Sequence, residues 1–237
     1  MGRAFEFRKA RKLKRWALMA KTFTRISKDI SIAVKDGGPN IDSNFRLRSI
    51  IQSAKTVNMP KENIERAIKN ASNKNFDNYN EIILEGYSAG GIATILDCIS
   101  DNKNRTVGNV RSYFNKTDGN MATNGSVEFL FKRVCFFKIK FEKDIEELEF
   151  ELIDYGLLDL EYDNEHEILI IYGEYDSYGK IFKELEKRRI KIIESDFDRI
   201  PLNYKTINDM ELQNFNKFIK FCSEDDDIQK ISHNLQL

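Results

Sequence analysis

The chain has 237 residues, 41% apolar and 32% charged, a composition that suits two or three modest domains and excludes extended disorder. Its 38 Lys/Arg balance 38 Asp/Glu, yet residues 1–75 hold 18 Lys/Arg against six acids, a net of +12, which leaves −12 for the remainder. No run approaches the roughly 18 apolar residues of a membrane span, and the basic start lacks the apolar stretch of a secretory signal, so a cytoplasmic protein without membrane contact is expected.

Residues 3–21 are dense in Lys and Arg; a helix there is possible but frayed by charge repulsion in isolation, and an ordered or partly ordered basic arm is expected. From Thr22 the apolar positions Phe23, Ile26, Ile30 and Ala33/Val34 recur at helical spacing and stop at Asp36-Gly37-Gly38-Pro39, a glycine stop followed by a breaker. Asp42 or Ser43 is expected to cap a second helix with the stripe Leu47, Ile50/Ile51, Ala54 and Val57. Pro60 suits the first turn of a third, carrying Ile64, Ala67 and Ile68. Three such helices with short loops predict a bundle.

Beyond the polar stretch Asn70 to Asn80 the pattern turns strand-like. Glu81–Tyr87 and Ile92–Ile99 flank Ser88-Ala89-Gly90-Gly91 as a hairpin, a helix follows over Asn104–Lys116, and a strand over Val127–Phe131. Residues 134–199 then read strand (Val134–Phe141), helix (Ile145–Tyr155), strand (Leu158–Tyr162), strand (Glu167–Tyr172), helix (Tyr178–Arg188) and strand (from Lys191). That is the β-α-β-β-α-β order of a ferredoxin-like unit. A helix over Thr206–Cys222 and a short strand over Asp227–Ile231 complete the chain. The expected fold is therefore α+β: an N-terminal three-helix bundle (1–75) followed by two ferredoxin-like α+β domains, one (134–200) inserted in the other (76–133 plus 201–237).

The residues offer little for catalysis. There are two histidines, His166 in a turn and His233 in the tail, and neither has an evident partner for acid–base work. Cys98, Cys135 and Cys222 are widely spaced in apolar runs, which excludes a disulfide framework and a C-x-x-C zinc site. Glu224-Asp225-Asp226-Asp227 lacks the alternation and central glycine of a calcium loop. Gly86-Tyr87-Ser88-Ala89-Gly90-Gly91 joins two strands and matches neither phosphate-binding glycine pattern. No catalytic residue, metal, cofactor or small-molecule substrate is expected.

Several short stretches, taken in order, resemble the YebC/PmpR family, which includes the mitochondrial translational activator of cytochrome c oxidase. They are Lys21-Thr22-Phe23-Thr24, Gly37-Gly38, Asn44-Phe45-Arg46-Leu47-Arg48, Asn58 to Ile68, Glu85-Gly86-Tyr87, Gly90-Gly91, Asp101-Asn102-Lys103-Asn104-Arg105-Thr106, Gly119-Asn120, Gly125-Ser126-Val127 and His233-Asn234. The chain departs from the family at Arg3-Ala4-Phe5-Glu6-Phe7, where His-Ser-Lys-Trp is usual, and at Ser88-Ala89, where Gly-Pro is usual. The resemblance implies a helical bundle plus two α+β domains, one inserted in the other. It also implies one of two roles, a DNA-binding transcriptional regulator or a translation factor acting at the ribosome.

Both roles need a polyanion surface, and the charge asymmetry places it at the N-terminus. Lys9, Arg11, Lys12, Lys14, Arg15, Lys21, Arg25, Arg46, Arg48 and Lys61 are expected to supply most of the affinity for nucleic acid. Lys103 and Arg105, at a strand-to-helix junction, form a second candidate anion site. The expected function is a nucleic-acid-binding regulator of gene expression, with DNA as the partner and ribosomal RNA or the ribosome as the alternative.

Overall fold

The computed structural model describes residues 3–73, 79–140 and 145–236, with side chains in the first helix described at Trp16 and from Leu18 onward. Helix α1 spans Arg3–Gly37 without interruption, roughly 50 Å at 1.5 Å per residue. The expected basic arm is thus the first half of one long helix. Unfavourable like-charge pairs on an exposed helix cost only a few tenths of a kcal/mol each. Ala, Leu, Met, Lys and Arg are among the best helix formers, so propensity wins. Gly38, at φ 79°, turns the chain out and donates its N–H to the Val34 carbonyl at 2.8 Å.

Helices α2 (Phe45–Thr56) and α3 (Lys61–Ser72) pack on the second half of α1. Ile26, Ile30, Ala33, Leu47, Ile51, Ala54, Ile64 and Ala67 form their common core. The cap of α2 is Asn44, not Asp42 or Ser43: its Oδ1 accepts from the Leu47 N–H at 3.0 Å. Its Nδ2 donates to the carbonyls of Ala33 and Gly38 at 2.7 and 2.8 Å. An amide can accept from one helix while donating two bonds at the end of the other, whereas a carboxylate donates none and a hydroxyl only one.

Strands β1 (Asn80–Ser88) and β2 (Ile92–Ser100) form the expected antiparallel hairpin. Helix α4 (Lys103–Asn115) follows, capped by Asn102, and then a two-residue strand, β3 (Asn120–Met121), that periodicity cannot reveal. The strand expected over Val127–Phe131 is instead a 3-10 turn over Glu128–Leu130. The buried Glu85 carboxylate accepts the N–H groups of Gly125, Val127 and Glu128 at 2.6–3.1 Å, so these donors need no strand partner.

Strand β4 (Phe131–Ile139) opens the second sheet, three residues earlier than expected. It is followed by α5 (Ile145–Ile153), β5 (Leu157–Asp163), β6 (Ile168–Glu174), α6 (Tyr178–Lys187) and β7 (Ile192–Pro201). The strand order β5-β6-β4-β7, antiparallel throughout, is that of the ferredoxin-like unit. Phe137, Ile139, Leu148, Leu152, Ile171, Phe182 and Leu185 fill its core.

The chain then returns to the first sheet through α7 (Asp209–Glu224) and β8 (Ile228–His233), giving the order β3-β1-β2-β8. Val110, Phe114, Phe218 and Cys222 of α4 and α7 cover one face of this sheet at Leu84, Leu96 and Cys98. The two α+β layers thus share four antiparallel strands under two helices. They differ in connection, because the first sheet opens with a hairpin where the second opens with β-α-β.

Candidate nucleic-acid interface

Three basic side chains of α1, Lys21, Arg25 and Lys28, are spaced to lie along one face of the helix. That face meets the end of α7, whose last carbonyls lack intrahelical partners. Lys21 donates to the Glu224 carbonyl at 2.9 Å and Arg25 to the Ser223 carbonyl at 3.1 Å. Lys28 donates to the Asp226 carbonyl at 2.8 Å and the Ile99 carbonyl at 3.2 Å. Its ammonium also pairs with the Asp227 carboxylate at 2.7 Å, both side chains being 8% exposed. Cations at the negative end of a helix are favourable, and here they come from a different helix.

Asp227 gathers more than Lys28. Its Oδ2 accepts from Ser100 at 2.9 Å, Thr106 at 2.8 Å and Arg105 at 2.9 Å. Arg105 also holds Asp101 at 2.7 Å. Burial disfavours the charge of Asp227, but the hydrogen bonds from Lys28, Arg105, Thr106 and Ser100 outweigh it and hold the carboxyl well below the usual range. The stretch Asp101 to Thr106 is therefore half of a latch that fixes α1 to the first sheet, while Lys103 beside it faces solvent.

Asn44-Phe45-Arg46-Leu47-Arg48 forms a second clamp. Arg46 pairs with Asp36 at 3.0 Å and also with Glu81 on β1. Arg48 pairs with Glu186 of α6 at 3.0 Å, and its guanidinium stacks 5.0 Å from the Phe45 ring and 5.5 Å from the Phe182 ring, a geometry that suits arginine and not lysine. Ser49 donates to the Ser195 carbonyl of β7 at 2.6 Å, which seats α2 on the second sheet.

The structure accordingly divides the expected interface residues. Lys21, Arg25, Arg46, Arg48 and Arg105 are engaged within the molecule; Lys61 is exposed and pairs with Glu65 at 3.4 Å, and Lys103 is exposed. Lys9, Arg11, Lys12, Lys14 and Arg15 lie on the helical backbone of α1, outside the described side chains. Trp16, Leu18 and Met19 just after them are 50%, 59% and 36% exposed, so α1 leaves its packed core on the N-terminal side of Phe23.

A central cleft lies between α1, α2 and both sheets, lined by Asp29, Arg46, Glu81, Asp97, Asp196, Asp198, Arg199 and Lys230 among others. Burial, the nearby Asp196 charge and Glu81 push the Asp29 carboxyl up to about 7, against the opposing pull of Arg46 and Arg25. Periodicity and motifs do not reveal this cleft, because the acids and bases named here come from six separate stretches.

The histidines and cysteines are each engaged or buried. His166 is exposed and bonds to Asp163 at 2.9 Å within its turn, and the His233 ring packs edge-on against Phe215 at 5.0 Å. All three cysteines are buried, and burial pushes the thiols of Cys135 and Cys222 up to about 11 and 12. Among the described residues no group of three or more His, Cys, Asp or Glu is placed to hold a metal ion, and no helix is long and apolar enough to cross a membrane.

Two family models match the chain. The TACO1/YebC N-terminal domain covers residues 3–74, and the TACO1/YebC second and third domain covers residues 79–235. A probable transcriptional regulatory protein of Flavobacterium johnsoniae is 54% identical over 100% of this chain and 99% of its own length. A protein of the same description from Porphyromonas gingivalis is 49% identical over 100% of this chain and 98% of its own length. The crystal structure of a conserved hypothetical protein from Aquifex aeolicus superposes with a TM-score of 0.79 at 34% identity, covering 92% of this chain and 90% of that one.

Proposed function

Because the chain belongs to the TACO1/YebC family, we propose that it is a non-catalytic, cytoplasmic, nucleic-acid-binding regulator of gene expression, in line with relatives described as probable transcriptional regulatory proteins. The observation that carries this reading is the charge of α1. Arg3, Arg8, Lys9, Arg11, Lys12, Lys14 and Arg15 share one helix with Glu6 as the only acid before Asp29. Such a helix attracts phosphates irrespective of base sequence. The engaged histidines and buried cysteines support a non-catalytic role, the match over residues 3–74 supports a helical domain of about residues 1–75, and the return of the chain to the first sheet after the second supports an inserted domain near 134–200.

A second reading, a translation factor on ribosomal RNA, is favoured by one specific observation. Arginine is the usual reader of guanine edges, yet Arg46, Arg48 and Arg105 are bound within the molecule. Of the candidate residues with described side chains, that leaves the exposed Lys61 and Lys103, better suited to backbone than to bases. Purification from cells at low salt separates the two: co-purifying chromosomal DNA, with one duplex preferred about 10³-fold or more over others, supports transcription. Co-purifying ribosomal RNA, with no duplex preference, supports translation.

A further inference from the structure

We propose that the groove between α2 and the edge of the second sheet is a binding track for the phosphodiester backbone of nucleic acid, formed by Lys55, Lys140 and Lys191. The groove, of about 700 Å³, is also lined by Arg48, Gln52, Thr56 and Glu186. Its three lysines come from the last turn of α2, the residue after β4 and the residue before β7. All three are exposed, and none forms an ion pair with a described residue. Among the described residues of the lining Glu186 is the single acid, and Arg48 pairs with it at 3.0 Å. Among the described residues the groove therefore presents three positive charges without an ionic partner, two of which, Lys140 and Lys191, stand in the part of the chain that is acidic overall.

The walls are held in place. Gln52 donates its side-chain amide to the Ile192 carbonyl, Ser49 binds the Ser195 carbonyl, and Tyr178 shares a 3.0 Å hydrogen bond with the Ser195 hydroxyl. Lysine suits such a track because its ammonium acts as a point charge on any phosphate it can reach. One wall of the groove is α2, which packs on the helix that carries the basic residues 3–15. This inference rests on the nucleic-acid reading above and extends it to a surface on two parts of the fold.

The test uses the full chain with Lys55, Lys140 and Lys191 changed together to Gln, against duplex DNA and single-stranded RNA across a salt series. These side chains have no described ionic partner, so the melting temperature should match the parent. Each lost phosphate contact removes about 0.9 from the slope of log affinity against log salt on duplex DNA, so the triple variant should be shallower by about 2–3. A control with Lys180, Lys217 and Lys220 changed to Gln should keep the parent slope. In the parent, bound nucleic acid should protect Lys55, Lys140 and Lys191 from an amine-modifying reagent. An unchanged slope, or three lysines modified equally with and without nucleic acid, overturns the groove while leaving the function intact. A parent that binds neither polymer overturns both.

Discussion

The latch around Asp227 and the groove at Lys55, Lys140 and Lys191 contrast in what the same chemistry does. In the latch, Lys28 and Arg105 converge on one buried carboxylate while Lys21 and Arg25 bind the last carbonyls of α7, and their charge is spent on holding α1 against the first sheet. In the groove, lysines converge with Glu186 as the only acid among the described residues, and Arg48 takes that. The difference is the presence of an internal acceptor. A basic residue marks an anion site only where the fold leaves its charge unanswered, and a density of Lys and Arg along the chain does not report that.

The sharpest way to break the comparison is to remove the acceptor. Asp227→Ala leaves the Lys28 ammonium buried without its partner and deprives Arg105, Ser100 and Thr106 of theirs. Loss of one member of a buried pair costs about 3–5 kcal/mol, to be read by urea unfolding near neutral pH. Because the Asp227 carboxyl is held below its ordinary value, its contribution is present above the unfolded-state pKa, near 3.8, and fades as pH falls through the lower folded-state value. The penalty of the variant should shrink in acid. A variant as stable as the parent would show that the latch contributes nothing to the fold.

Asp29 sharpens the contrast with the opposite sign. Its folded-state pKa, about 7, lies above the unfolded value of 3.8, so stability is fullest below the latter and is lost as pH rises through the former. Asp29→Asn mimics the protonated form and should stabilise the chain progressively more from pH 5 to pH 8, in a series of thermal melts. A stability gap independent of pH would contradict it. The smallest effect belongs to the exposed pair of Lys61 and Glu65. Lys61→Ala should change stability by no more than about 0.5 kcal/mol, and a larger loss would mean that α3 depends on its surface charges.

Much of this fold was legible in the sequence. Apolar spacing located the three helices of the bundle and the hairpin, and the β-α-β-β-α-β order of the inserted sheet was readable from pattern alone. Features decided by partners distant in sequence were not. Asn44 caps α2 because its amide also reaches Ala33 and Gly38, and residues 127–130 form a turn because Glu85, some forty positions earlier, satisfies their N–H groups. The interface is a sharper case. The stretch Asp101 to Thr106 stood out for its polarity, yet Arg105 answers to Asp227, 122 residues away. Lys55, Lys140 and Lys191 did not stand out, because only the fold brings them together. Helix α1 was underestimated over its first half because like-charge repulsion was weighed above the propensity of Ala, Leu, Lys and Arg.

The proposed binding of nucleic acid through phosphates falls to the open charge of the helical domain. It is tested most directly by titrating duplex DNA against the parent and against a variant with Lys9, Arg11, Lys12 and Arg15 reversed to Glu, from low to physiological salt. If about six phosphates are neutralised, the parent should lose affinity with a log–log slope near −5. The variant should lose binding to all sequences alike while its melting temperature stays that of the parent. A salt-independent parent, or a quadruple variant that binds as tightly, would contradict the claim.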